Sequence, residues 1–87
     1  MNILILTKAR TIYYGEFVRN VSDRHRKRFI ELKNIYWKRN SKNGKELDLV
    51  FISRQWINAK NIKEKKTIDI SDIKTKTYKE LLELLEC

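Results

Sequence analysis

Up to about residue 70 the apolar positions fall in short runs rich in β-branched and aromatic residues, the pattern of strands; beyond residue 77 they recur at helical spacing. Residues 2–7 and 11–20 are two such runs, separated by the polar Lys8, Ala9 and Arg10, and this predicts a first hairpin. A third strand is expected over 29–38. Its apolar phase changes, from Ile30 and Leu32 on one face to Ile35 and Trp37 on the other. Side chains alternate strictly along a regular strand, so the change requires a bulge or sharp bend near Asn34. Residues 40–44, Asn-Ser-Lys-Asn-Gly, carry an Asn-Gly between two apolar runs and predict a second hairpin into a fourth strand over 46–52. Leu47, Leu49 and Phe51 lie on one face of that strand and Val50 and Ile52 on the other, as in a strand buried on both sides. Ser53, Arg54 and Gln55 leave room only for a tight turn before a fifth strand over 56–62.

The polar, Lys-rich residues 63–66 and a short extended run over 67–70 follow. Thr77 and Glu80 form a capping-box pattern ahead of Leu81, Leu82 and Leu85, which with Tyr78 make one apolar stripe on a helix of about ten residues. A helix so short is marginal in isolation and has to dock on the rest of the fold or on a partner. The chain thus reads as mostly β: a small five-stranded SH3-like or OB-like barrel over 1–62, then a linker and short C-terminal helix over 63–87. With 87 residues there is room for one core, so this is a single domain.

Charge changes the picture. The formal net charge is +9, and residues 1–45, with 12 basic and 3 acidic side chains, account for all of it. Four Arg and Lys crowd into five positions at Arg24, His25, Arg26, Lys27 and Arg28. An excess so concentrated attracts a polyanion. With 41% hydrophobic residues the chain has enough apolar material to fold, which separates it from a disordered basic tail.

The remaining chemistry is sparse. Cys87 is the one cysteine and His25 the one histidine, which excludes a disulfide framework and a cysteine or paired-imidazole metal site within the chain. The carboxylates Glu16, Asp23, Glu31, Glu46 and Asp48 are scattered, without acid-base or metal-ligand spacing, and no enzyme, cofactor or metal is expected. The apolar start is too short for a signal peptide or a membrane span, and the expected location is cytoplasmic, with no membrane partner.

The order and spacing of these features over about residues 2–62 resemble the Sm-like (LSm) family of small RNA-binding barrels. Its first motif is matched by Tyr14-Gly15-Glu16-Phe17-Val18, a polar loop, and Phe29-Ile30-Glu31-Leu32-Lys33-Asn34. Its second is similar to Val50-Phe51-Ile52-Ser53-Arg54, leading into Trp56-Ile57. A mid-strand glycine suits a strand bent hard enough to close a barrel. The chain departs from the family in a longer loop after the second strand, in Phe29 near the base-contacting asparagine, in Ser53-Arg54 for Arg-Gly, and in a helix that comes last.

The resemblance implies that the loops after strands two and four lie side by side and face RNA. They would bring Arg24, His25, Arg26, Lys27, Arg28 and Phe29 next to Arg54 and Gln55. Arginine forks suit phosphate and also stack on bases, which fits single-stranded RNA. Tyr13, Tyr14, Phe17, Tyr36, Trp37 and Trp56 offer further platforms, though alternation along strands turns most of them to packing. Lys38, Arg39, Lys42 and Lys45 flank the Asn-Gly hairpin and extend the basic track. The resemblance also implies a homo-oligomeric ring, strand 46–52 of one copy pairing with strand 56–62 of the next; the alternative is a monomer whose helix covers that edge. A second functional reading is a basic interaction or inhibitor protein, of a kind encoded by phages or mobile elements, that grips an acidic protein. Phosphate attraction alone does not separate RNA from DNA.

Overall fold

Ile3 and Ile5 point to one side of the first strand and Leu4 and Leu6 to the other, so this segment has to be covered on both faces. In the computed structural model, which describes residues 1–39 and 49–86, it is. β1 (Asn2–Thr7) lies between β2 (Thr11–Ser22) and β5 (Ile62–Thr67) in an antiparallel sheet of order β4-β3-β2-β1-β5, with β3 (Arg28–Arg39) and β4 (Val50–Asn58) completing it. Leu4 and Leu6 join Ile12 and Tyr14 under the C-terminal helix α1 (Tyr78–Glu86), which contributes Tyr78, Leu81 and Leu85. Ile3 and Ile5 pack on the opposite face with Ile30, Leu32, Ile35 and Ile57. The molecule is therefore mostly β with two apolar layers, one on each side of the central strands.

The helix is built as its capping box predicts. Thr77 Oγ1 accepts from the Glu80 N–H at 3.1 Å, and Glu80 Oε1 accepts from the Thr77 N–H at 3.3 Å. The Tyr78 hydroxyl donates to the Arg10 carbonyl in the β1–β2 turn, and Tyr14 Oη accepts from the Ile70 N–H at 2.7 Å, so the segment leading into α1 is tied to the sheet.

The bend expected near Asn34 is present. Asn34 has φ 51°, and the pairing of β2 with β3 shifts there, Tyr14 opposite Tyr36 but Glu16 opposite Lys33. Two residues of β3, Asn34 and Ile35, thus face the single Gly15. The bulge turns Ile35 onto the same face as Ile30 and Leu32, which a regular strand could not do. It also crowds Gly15: a Cβ there would stand 3.0 Å from Ile35 Cγ1 and 3.1 Å from the Lys33 carbonyl oxygen.

The end of the sheet differs from the expected layout. Residues 53–55 do not turn; Arg54 pairs with Lys33 and Gln55 with Leu32, inside a single strand β4. The reversal comes at the 3-10 turn Ala59–Asn61, where Asn58 Oδ1 accepts from the Lys60 N–H at 3.0 Å. The Lys-rich residues read as a linker are β5, an edge strand beside β1. An edge strand needs few apolar side chains, and lysines there are a common guard against unwanted pairing. Segments 46–52 and 56–62 are consequently not two strands: residues 50–52 and 56–58 both belong to β4. The Asn-Gly hairpin over 40–44, with Lys42 and Lys45, and residues 46–48 lie outside the described residues.

The short β4–β5 connection also shapes the sheet. In a flat sheet four strand spacings, about 19 Å, separate these two edges. Three residues of 3-10 helix rise only about 6 Å. The sheet therefore curls until its two edge strands approach at the Asn58–Ile62 end.

Candidate functional site

The loop joining β2 to β3 is organised by one carboxylate. Asp23 Oδ1 accepts from the His25 N–H at 2.9 Å and the Lys27 N–H at 2.8 Å, while the Asp23 N–H donates to the Lys27 carbonyl at 3.0 Å. Arg26 takes φ 62° at the tip. With the Asp23, His25, Arg26 and Lys27 amides bonded inside the turn, Arg24, His25, Arg26, Lys27 and Arg28 are all left exposed. His25, Arg26, Lys27 and Arg28 stand beside Ala59 and Lys60 of the 3-10 turn around an open cleft of about 470 Å³.

The other two predicted site residues are elsewhere. Arg54 pairs with Lys33, five residues along β3 from Arg28 and so about 17 Å away. Gln55, its neighbour, faces the opposite side of the sheet, with Nε2 3.4 Å from Tyr13 Oη on the wall of a second cleft that Asn58 and Asn61 also line. The residue that sits beside the basic loop is Lys60, because the turn falls at 59–61 instead of 53–55.

Arg54 belongs to a second cluster. On the face that carries α1, the helix covers Leu4, Leu6, Ile12 and Tyr14 but not the far parts of β2, β3 and β4. There Arg19, Glu31 and Trp56 stand in one cross-strand row. Glu31 is 3% exposed, an uncommon burial for a carboxylate. It is fully partnered: Oε1 accepts from Trp56 Nε1 at 2.6 Å and from Arg19 Nε at 3.4 Å, and Oε2 is 3.7 Å from Arg54 Nη1. The indole N–H holds the Glu31 carboxyl below its ordinary 4.5, against the opposing effect of burial and with help from both guanidiniums. Trp56 remains 47% exposed, and the Phe29 ring braces it at 5.7 Å, tilted by 41°.

The sequence signals reached the loop but missed this cluster. Glu31 reads as an ordinary polar alternate in a strand, and Trp56 falls opposite it only if β4 runs through residues 53–55. The expected turn there hid the pairing.

Chemically, the two clusters offer cations, planar guanidiniums and an exposed aromatic face, the groups that bind phosphates and bases. Among the described residues no group of three His, Cys, Asp or Glu side chains is placed to hold a metal ion, and no helix is long and apolar enough to cross a membrane. Comparison with family models, with curated proteins and with solved structures finds no match for this chain.

Proposed function

We propose that the protein is a non-enzymatic RNA-binding module of Sm-like type that contacts single-stranded RNA through its basic 24–28 loop. The observation that carries this reading is the Asp23-organised turn, whose carboxylate holds the His25 and Lys27 amides and which leaves four cationic side chains exposed, three of them beside Lys60. A loop preorganised in this way binds an anion with little loss of backbone freedom. The Sm-like part rests on the Gly15 and Asn34 positions, where β2 and β3 shift register, and on a curled sheet whose edge strands approach.

Affinity in this reading comes from phosphate contacts, so binding falls as salt rises, with a log-log slope of about −0.7 per contact on a single strand. Replacing Arg24, Arg26 and Arg28 together by Ala is expected to flatten that slope by about two units. The measurement is the anisotropy of a labelled single-stranded RNA across a salt series, with duplex DNA in parallel. An unchanged slope moves the site away from the loop. Absence of binding to either polymer at low salt discards the RNA reading and leaves an acidic protein surface as the partner.

A further inference from the structure

Trp56 is an exposed aromatic residue in a fixed orientation. Its indole N–H is donated at 2.6 Å to Glu31, a carboxylate 3% exposed, and Phe29 backs the ring. A tryptophan that served only to cover the sheet would leave its N–H to water, and burying a carboxylate to hold it carries a desolvation cost. The same carboxylate orients Arg19 and Arg54, whose side chains are 64% and 62% exposed on either side of it. The row therefore presents an immobilised aromatic face flanked by two planar cations, on a part of the sheet that the helix leaves bare.

We infer that Trp56, positioned by Glu31 and flanked by Arg19 and Arg54, is a stacking platform for one unpaired nucleobase of the strand held by the 24–28 loop. This rests on the RNA-binding reading above and narrows it to unpaired segments. Glu31 lies three residues along β3 from Arg28, about 10 Å, so a strand a few nucleotides long reaches both places. In a duplex both faces of each base are already stacked, so the platform discriminates between paired and unpaired ligands without reading sequence. The arginines supply phosphate contacts and stacking surface around the ring. Glu31 touches no ligand and acts as a positioning residue.

The test uses the full chain, a labelled single-stranded oligoribonucleotide, and the same sequence annealed as duplex RNA. Trp56→Ala is expected to weaken single-strand binding by roughly 5- to 150-fold, the range for loss of one base–aromatic stack. It should leave the salt slope and the duplex affinity where they were. Trp56→Phe, which keeps an aromatic face but loses the N–H that Glu31 holds, is expected to fall between wild type and Trp56→Ala. Trp56→Leu, which keeps apolar bulk against Phe29 but has no π-face, is the second variant should the alanine disturb the fold, and circular dichroism monitors both. Wild-type affinity in a folded Trp56→Ala or Trp56→Leu variant overturns the platform while the loop reading stands. Equal losses for single strand and duplex also overturn it. Failure of the wild-type protein to bind single-stranded RNA at low salt overturns both.

Discussion

Glu31 is where burial, hydrogen bonding and charge act on one side chain. Its carboxyl lies below the ordinary 4.5 because the Trp56 N–H and then the Arg19 and Arg54 guanidiniums favour the anion more than burial disfavours it. A depressed carboxylate contributes stability that is fully present above the unfolded value and is lost as pH falls through the folded one. The wild-type protein is therefore expected to lose stability on acidification from about pH 4.5 downward more steeply than Glu31→Gln. At neutral pH the Gln variant should be the less stable of the two. Denaturant titrations of both proteins at neutral and acid pH measure this, and parallel pH profiles would show that ionisation of Glu31 is not linked to folding. The neighbouring Lys33–Glu16 pair, 3.6 Å apart and about half exposed at each end, is a surface pair of the kind that contributes little.

Among the elements, α1 shows most clearly how local signals and tertiary packing agree. Nine residues form few helical turns, and the helix persists because Tyr78, Leu81 and Leu85 bury their stripe on Leu4, Leu6, Ile12 and Tyr14. Leu81, 1% exposed, is expected to cost about 2–5 kcal/mol on replacement by Ala, seen as one cooperative loss of sheet and helix signals in thermal melts. Loss of the helical signal alone, with the sheet intact, would mean that α1 is an appendage. The capping box, the stripe and the first hairpin were legible because each is written in a few adjacent residues. So was the bend at Asn34, since the apolar phase of β3 cannot otherwise be reconciled with one core. The β4–β5 boundary was not legible. Ser53, Arg54 and Gln55 are polar because Ser53 and Arg54 are exposed on an edge strand and Gln55 reaches Tyr13, and a polar triplet inside an edge strand looks like a turn. β5 was hidden for the same reason: its lysines answer to water and to α1, where Lys66 Nζ donates to the Leu84 carbonyl at 3.1 Å, and not to a core. The candidate site inherited the error. The exposure of the basic loop, which depends on contiguous residues, was legible; the Glu31–Trp56 row depends on strand register and was not.

For the whole molecule, the consequence of this topology is two strands with a single neighbour each among the described residues, β4 and β5. The helix packs across β1, β2 and β5, so it does not shield the β4 edge. Assembly of copies through β4 and β5, as a ring requires, sets a strand that carries Lys63, Lys65 and Lys66 with Glu64 against one that carries Arg54 and no carboxylate. Like charges opposite one another across a strand pair oppose pairing, and on a protein of net charge +9 the repulsion is long-ranged at low salt. Raising the salt screens that repulsion and leaves the backbone pairing and the apolar contacts of Val50, Phe51 and Ile52 unweakened. Self-association and RNA binding should then answer to salt in opposite directions, the first strengthening where the second weakens. In light scattering the expected result is a species near 10.6 kDa at low salt and multiples of that mass at high salt. A monomer mass at every salt concentration discards assembly through these edges. Multiples that dissociate as salt rises would instead require a charge-complementary interface, and the lysines of β5 with Arg54 of β4 do not provide one.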